Sequence, residues 1–107
     1  MKEIEFLGNS LDNIRLFCAE AKDDIGFQLD RVQRGIEPSN WKPMSSVGTS
    51  VKEIRTKASD GIYRTIYIAK FENKIYVLHA FQKKTEKTTK SDIDLAKRRL
   101  KGLLEKK

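Results

Sequence analysis

Between Leu11 and Ile36 the apolar residues Leu11, Ile14, Cys18, Ala21, Ile25, Leu29, Val32 and Ile36 recur every three or four positions. At about 100° per residue they form one stripe, which predicts an amphipathic helix or two consecutive helices sharing a face. Asn9 or Ser10 can cap the start, and Asp12 lies in the first turn, where the dipole favours an acid. Gly35 fits a left-handed C-terminal cap, and Pro38 prevents continuation. Gly26 marks a weak point at which the helix can divide in two. Cys18 lies on the stripe and reads as core, not as a nucleophile. Ahead of it, residues 2–7 (KEIEFL) alternate and predict a short strand ending at Gly8-Asn9. Behind it, residues 37–50 carry both prolines and a glycine among Ser, Thr and Asn, a loop from which Trp41 and Met44 fold back as a lid on the core, a ligand-stacking Trp41 being the alternative.

Three strand-like runs follow, at 51–57, 62–71 and 75–82. Asp60-Gly61 signals a hairpin turn, and Glu72-Asn73-Lys74 a second. The middle run, IYRTIYIAKF, is apolar on both faces, as a central strand covered on both sides is. A polar stretch then leads into helical spacing at Ile93, Ala96, Leu100 and Leu103, with Thr89 or Ser91 as cap and Asp92 and Asp94 in the first turn. The expected architecture is one α+β domain over residues 1–107, with helices packed on a small, mostly antiparallel sheet.

Composition narrows the function. The 107 residues contain one Cys and one His, so an internal disulfide and a structural zinc site are excluded. No apolar run approaches the roughly 20 residues of a membrane helix, and the N-terminus does not look like a secretory signal; the cytoplasm is the expected location. The charge is one-sided. Residues 1–69 balance ten basic against ten acidic side chains, whereas residues 70–107 carry twelve against five and hold the whole net charge of +7. Such a block suits a polyanion partner; it also suits a solvated terminal helix that keeps the chain soluble.

Phosphate loops, nucleophile elbows and Cys/His pairs are missing, and no cofactor is expected. Cationic and hydrogen-bonding residues instead gather on the three strands: Arg55, Arg64, Tyr67, His79 and Phe81, followed at once by Lys83, Lys84 and Lys87. With a two-residue turn at Glu72-Asn73, Arg64 falls opposite Phe81 and Ile66 opposite His79, so Arg64 and His79 share a face; one extra loop residue reverses this. A guanidinium among isoleucines must either pair with a carboxylate or meet a phosphate. His79 is either a proton carrier or a hydrogen-bonded core residue.

The segments GIYRTIYIAKF, VLHAFQKKTEKT and DIDLAKRR, preceded by LDRVQRG, WKPM and EIR, resemble the phage-derived HigB-like branch of the RelE/ParE toxin superfamily. The similarity runs in order from about Leu11 to Leu104. It implies a RelE-like fold: two N-terminal helices on a small sheet, and a C-terminal helix. It also implies the toxin of a type II toxin–antitoxin pair, partnered by a helix-turn-helix antitoxin of the HigA kind and acting on mRNA in the ribosome. The implied chemistry is metal-independent attack of the RNA 2′-hydroxyl on its own phosphate, with Arg64 at the scissile phosphate and Lys83 and Lys84 in the basic pair after the last strand. The chain lacks the tyrosine that RelE carries downstream, so His79 is the candidate substitute as acid or base. Arg55, Lys87, Lys90, Phe81 and Arg98 are the expected RNA contacts; for Phe81 core packing, and for Arg98 a solvated helix face, are the alternatives. Two other functions fit the same fold: a ParE-like inhibitor of DNA gyrase, and a plain basic RNA-binding domain.

Overall fold

A computed structural model describes residues 1–71, 73–83 and 88–106. The apolar stripe forms two helices, α1 (Ser10–Leu16) and α2 (Ala19–Gln33), after a first strand β1 (Glu3–Phe6). The break falls at Phe17 and Cys18, whose backbones are extended (ψ 162° and 159°), and not at Gly26. Phe17 leaves the helix to pack on Tyr63, ring centroids 4.6 Å apart. Gly26 is exposed inside α2, so it costs only its poor helix propensity while Ile25 and Leu29 hold the turn in the core. α2 ends as expected at Gly35 (φ +80°): the Gly35 N–H donates to the Val32 carbonyl and the Ile36 N–H to that of Arg31. Ile36 lies beyond this cap and is exposed, so it leaves the stripe. Neither Asn9 nor Ser10 caps α1 with its side chain. Asn9 Oδ1 accepts from Arg99, and Ser10 Oγ donates to the Val77 carbonyl.

The expected loop at 37–50 contains a short edge strand, β2 (Trp41–Pro43), paired with β3 (Val51–Ala58). Pro43 is tolerated because an edge strand can forgo a ladder donor. Met44 is buried as expected, while Trp41 is half-buried on the edge with Lys52 Nζ 4.5 Å from its ring. The meander continues through β4 (Gly61–Ile68) and β5 (Lys74–Gln82), and the chain closes with α3 (Lys90–Lys106). The sheet order is β1-β5-β4-β3-β2; β1 runs parallel to β5 and the other pairs are antiparallel. β4, apolar on both faces, is central, as predicted.

One face of the sheet packs Ile54, Tyr63, Tyr67, Ile75 and Val77 against α1 and α2; the other packs Ile66, Ile68, Tyr76 and Leu78 against α3. This α+β arrangement is compatible with a RelE-like fold. The β4–β5 register differs from a two-residue turn. Ile68 pairs with Tyr76, one residue short of that arrangement, and a bulge then inserts Leu78, so that Tyr67 pairs with Val77 but Ile66 with His79. Beyond the bulge Arg64 faces Phe81, the pairing expected from the sequence, reached by a different route. Leu78 and His79 consequently both point towards α3.

Candidate functional site

The sheet face under the N-terminal end of α3 collects Glu53 and Arg55 from β3, Arg64 from β4, and His79 and Phe81 from β5. Period-two alternation sets the first three: Ala58 pairs with Gly61 around a two-residue turn, which places Arg55 directly opposite Arg64 and Glu53 opposite Ile66. The β5 bulge supplies the other two.

Arg64 is 6% exposed, and its Nη1 donates to Glu53 Oε1 at 2.7 Å. Glu53 is fully buried. Its Oε2 accepts from Thr88 Oγ1 at 2.9 Å, and Lys42 Nζ stands 3.8 Å from Oε1. A buried carboxylate needs such partners, since an unpaired interior charge is expensive. The ion pair expected as one of the two fates of Arg64 is therefore present. It uses one of five guanidinium donors. The Nε atoms of Arg64 and Arg55 are both buried and have no hydrogen-bond partner among the described residues.

His79 is 5% exposed and sits 2.8 Å through Nε2 from Asp92 Oδ1. Burial lowers its pKa below the usual 6.5, with the nearby Arg99 charge adding to this and Asp92 opposing it. The imidazole is therefore neutral at pH 7, Nε2–H donates to the carboxylate, and Nδ1 is left as a buried acceptor with no partner among the described residues. Asp92 is itself fixed by the start of α3: its N–H donates to Thr89 Oγ1 at 3.3 Å, and that hydroxyl donates to Asp92 Oδ2 at 2.6 Å. Thr89 is thus the cap, and Ser91 lies inside the helix. Phe81 stacks on the His79 ring with centroids 4.9 Å apart and also packs under α3.

Of the basic residues beyond β5, Lys83 is half-buried at the strand end, its N–H donating to the Ile62 carbonyl at 2.7 Å. Lys84 and Lys87 lie outside the described residues. Lys90 is exposed beside Asp94. Arg98 is not brought to the site; it lines a groove with Val47 and Leu104, about 9 Å further along α3 than Asp92. Its neighbour Arg99 is no solvated cation, since it ties α3 to the Leu78 carbonyl and to Asn9.

Sequence reasoning passed over Glu53 as a partner for Arg64, though the hairpin at Ser59-Asp60 places it diagonally across from that residue. Asp92 read only as a dipole-favoured acid. Thr88 gave no signal. Among the described residues no three His, Cys, Asp or Glu side chains gather as a metal site, and no helix is long and apolar enough to cross a membrane. No curated protein gives a significant match. Residues 12–101 match the family described as Phage derived protein Gp49-like. The chain belongs to this Gp49-like family of RelE/HigB-type toxins, which implies a cognate antitoxin as its partner.

Proposed function

We propose that this toxin is a ribosome-dependent mRNA endoribonuclease that cuts by attack of the substrate 2′-hydroxyl, its antitoxin being of the helix-turn-helix kind. The observation that carries this reading is the direct opposition of Arg55 and Arg64 on neighbouring strands, with the buried Glu53 carboxylate paired to Arg64 and, among the described residues, no partner for the Nε atom of either. Like charges placed opposite each other destabilise a sheet. A phosphate would relieve that repulsion, and guanidinium donors match its oxygens. Glu53 acts as the positioning residue that holds Arg64 by one donor and leaves the others for the ligand.

In this mechanism the 2′-hydroxyl gives its proton to His79 Nδ1, which the bound RNA must uncover, as its oxygen attacks phosphorus, and Asp92 on Nε2 stabilises the imidazolium so formed. Arg64 and Arg55 hold the charge that grows on the phosphoryl oxygens. The bond to the 5′-oxygen breaks, and Lys84, with Lys83 beside it, supplies that oxygen with a proton. The products are a 2′,3′-cyclic phosphate and a 5′-hydroxyl. Lys87, Lys90 and Arg98 steer the RNA through long-range attraction.

The test is end-group analysis of mRNA from programmed ribosomes incubated with the purified protein. Fragments bearing a cyclic phosphate and a 5′-hydroxyl are expected. Intact mRNA together with inhibited DNA gyrase supercoiling would overturn the reading in favour of a gyrase inhibitor.

A further inference from the structure

Beyond β5 residue Val77 the strand loses its β1 neighbour, leaving a gap between the end of α1 and the start of α3 in which Arg99 and Asn13 donate to the Leu78 and Ala80 carbonyls. A cavity of about 370 Å³ occupies that gap, lined by Asn13, Leu16, Phe17, Phe81, Gln82 and Asp92. We propose that it is a nucleobase subsite for the RNA whose phosphate lies on Arg64, selective for bases that carry an exocyclic amino group. This rests on the RNA-cleavage reading and adds to it the class of base that is bound.

Three observations point this way. First, the cavity has aromatic walls: Phe81, one face of which is stacked on His79, and Phe17, packed on Tyr63. Unstacked bases are held on such rings in single-stranded RNA recognition. Second, Leu16 is 85% exposed at the rim, a large apolar side chain that the fold leaves uncovered. Third, the polar lining is weighted towards acceptors. Asn13 Nδ2 donates to the Ala80 carbonyl and Gln82 Nε2 to that of Asp60, which leaves on each amide one N–H and an oxygen with two acceptor positions. Asp92, whose Oδ1 accepts from His79 and Oδ2 from Thr89, adds only its remaining acceptor positions. Guanine, adenine and cytosine present amino donors to such a lining, whereas uracil has only its ring N–H. Placement agrees as well, since Phe81 pairs directly with Arg64 across the strands, so a base at Phe81 sets its phosphate towards the guanidiniums.

The experiment is an NMR titration of the full chain with GMP, AMP, CMP, UMP and ribose 5-phosphate. GMP, AMP and CMP should bind about fivefold or more tightly than ribose 5-phosphate, the low end of what one base stacked on an aromatic ring contributes. The Asn13, Phe17 and Gln82 amides should shift, and UMP should bind more weakly than the other three. Leu16→Ser, at a position that packs on nothing in the core, should remove most of the base-dependent gain and leave ribose 5-phosphate binding unchanged; Phe81→Leu should likewise lower the base-dependent gain. Equal binding of all five ligands, or base preference unaltered in both variants, overturns the subsite while leaving RNA cleavage standing. Base-dependent binding by a protein that leaves ribosome-bound mRNA intact would instead keep the subsite and overturn the cleavage reading.

Discussion

His79 of β5 donates through Nε2 to Asp92 in the first turn of α3 at 2.8 Å, and this bond joins the sheet to the helix that covers it. Because burial lowers the His79 pKa in the folded chain, the unfolded chain binds a proton more readily just below pH 6.5. The stability that neutral His79 contributes is present above its unfolded pKa and is lost as pH falls below it. Urea unfolding should show stability declining as pH falls below about 6.5, by up to about 1.4 kcal/mol per pH unit from this group. His79→Gln should reduce that slope relative to the native chain. An unchanged slope would mean that His79 titrates normally.

Arg64 and Glu53 should be coupled in stability. Arg64→Ala leaves a fully buried carboxylate with Thr88 and a distant Lys42, so it should cost about 3 kcal/mol or more. The double variant Arg64→Ala/Glu53→Gln removes the stranded charge and should be more stable than Arg64→Ala alone. Denaturant midpoints for the four members of the cycle measure this coupling; additive losses would refute it.

The lysines should divide by role. Lys83→Ala and Lys87→Ala should each weaken RNA binding modestly and lower the slope of log affinity against log salt by about one. Lys84→Ala should collapse the cleavage rate at saturating ribosomes, as loss of the group that protonates the leaving oxygen requires. If Lys83→Ala is the variant that collapses, the proton donor is Lys83. If all three lysine variants cleave near the native rate, protonation does not come from this cluster.

Much of this was legible in the sequence. The apolar residues on both faces of β4 and the spacing from Leu11 to Val32 mark the sheet centre and the buried helix face, because both patterns follow directly from backbone geometry. The α1–α2 break was misplaced at Gly26, since local propensity points there while the cause is a tertiary contact, Phe17 on Tyr63. The shared face of Arg64 and His79 was foreseen from a turn length that the structure does not adopt; the Leu78 bulge, which no residue type announces, restores it. Arg55, Arg64 and His79 stood out as chemistry in an apolar setting. Glu53, Thr88 and Asp92 did not, because their roles arise from hydrogen bonds between segments 11 to 35 residues apart.

The central claim is that Arg64 holds the scissile phosphate, and single-turnover mRNA cleavage on programmed ribosomes tests it when Glu53→Gln is compared with Arg64→Ala/Glu53→Gln. Both proteins lack the buried carboxylate and they differ only in the guanidinium, to which the amide oxygen introduced by Glu53→Gln still offers an acceptor. The account predicts that the double variant cleaves about 30- to 1,000-fold more slowly than Glu53→Gln while remaining folded, the loss expected when one fixed donor is removed from a developing oxyanion. Equal cleavage rates for the two folded proteins would contradict it and leave Arg64 as a structural ion-pair partner alone.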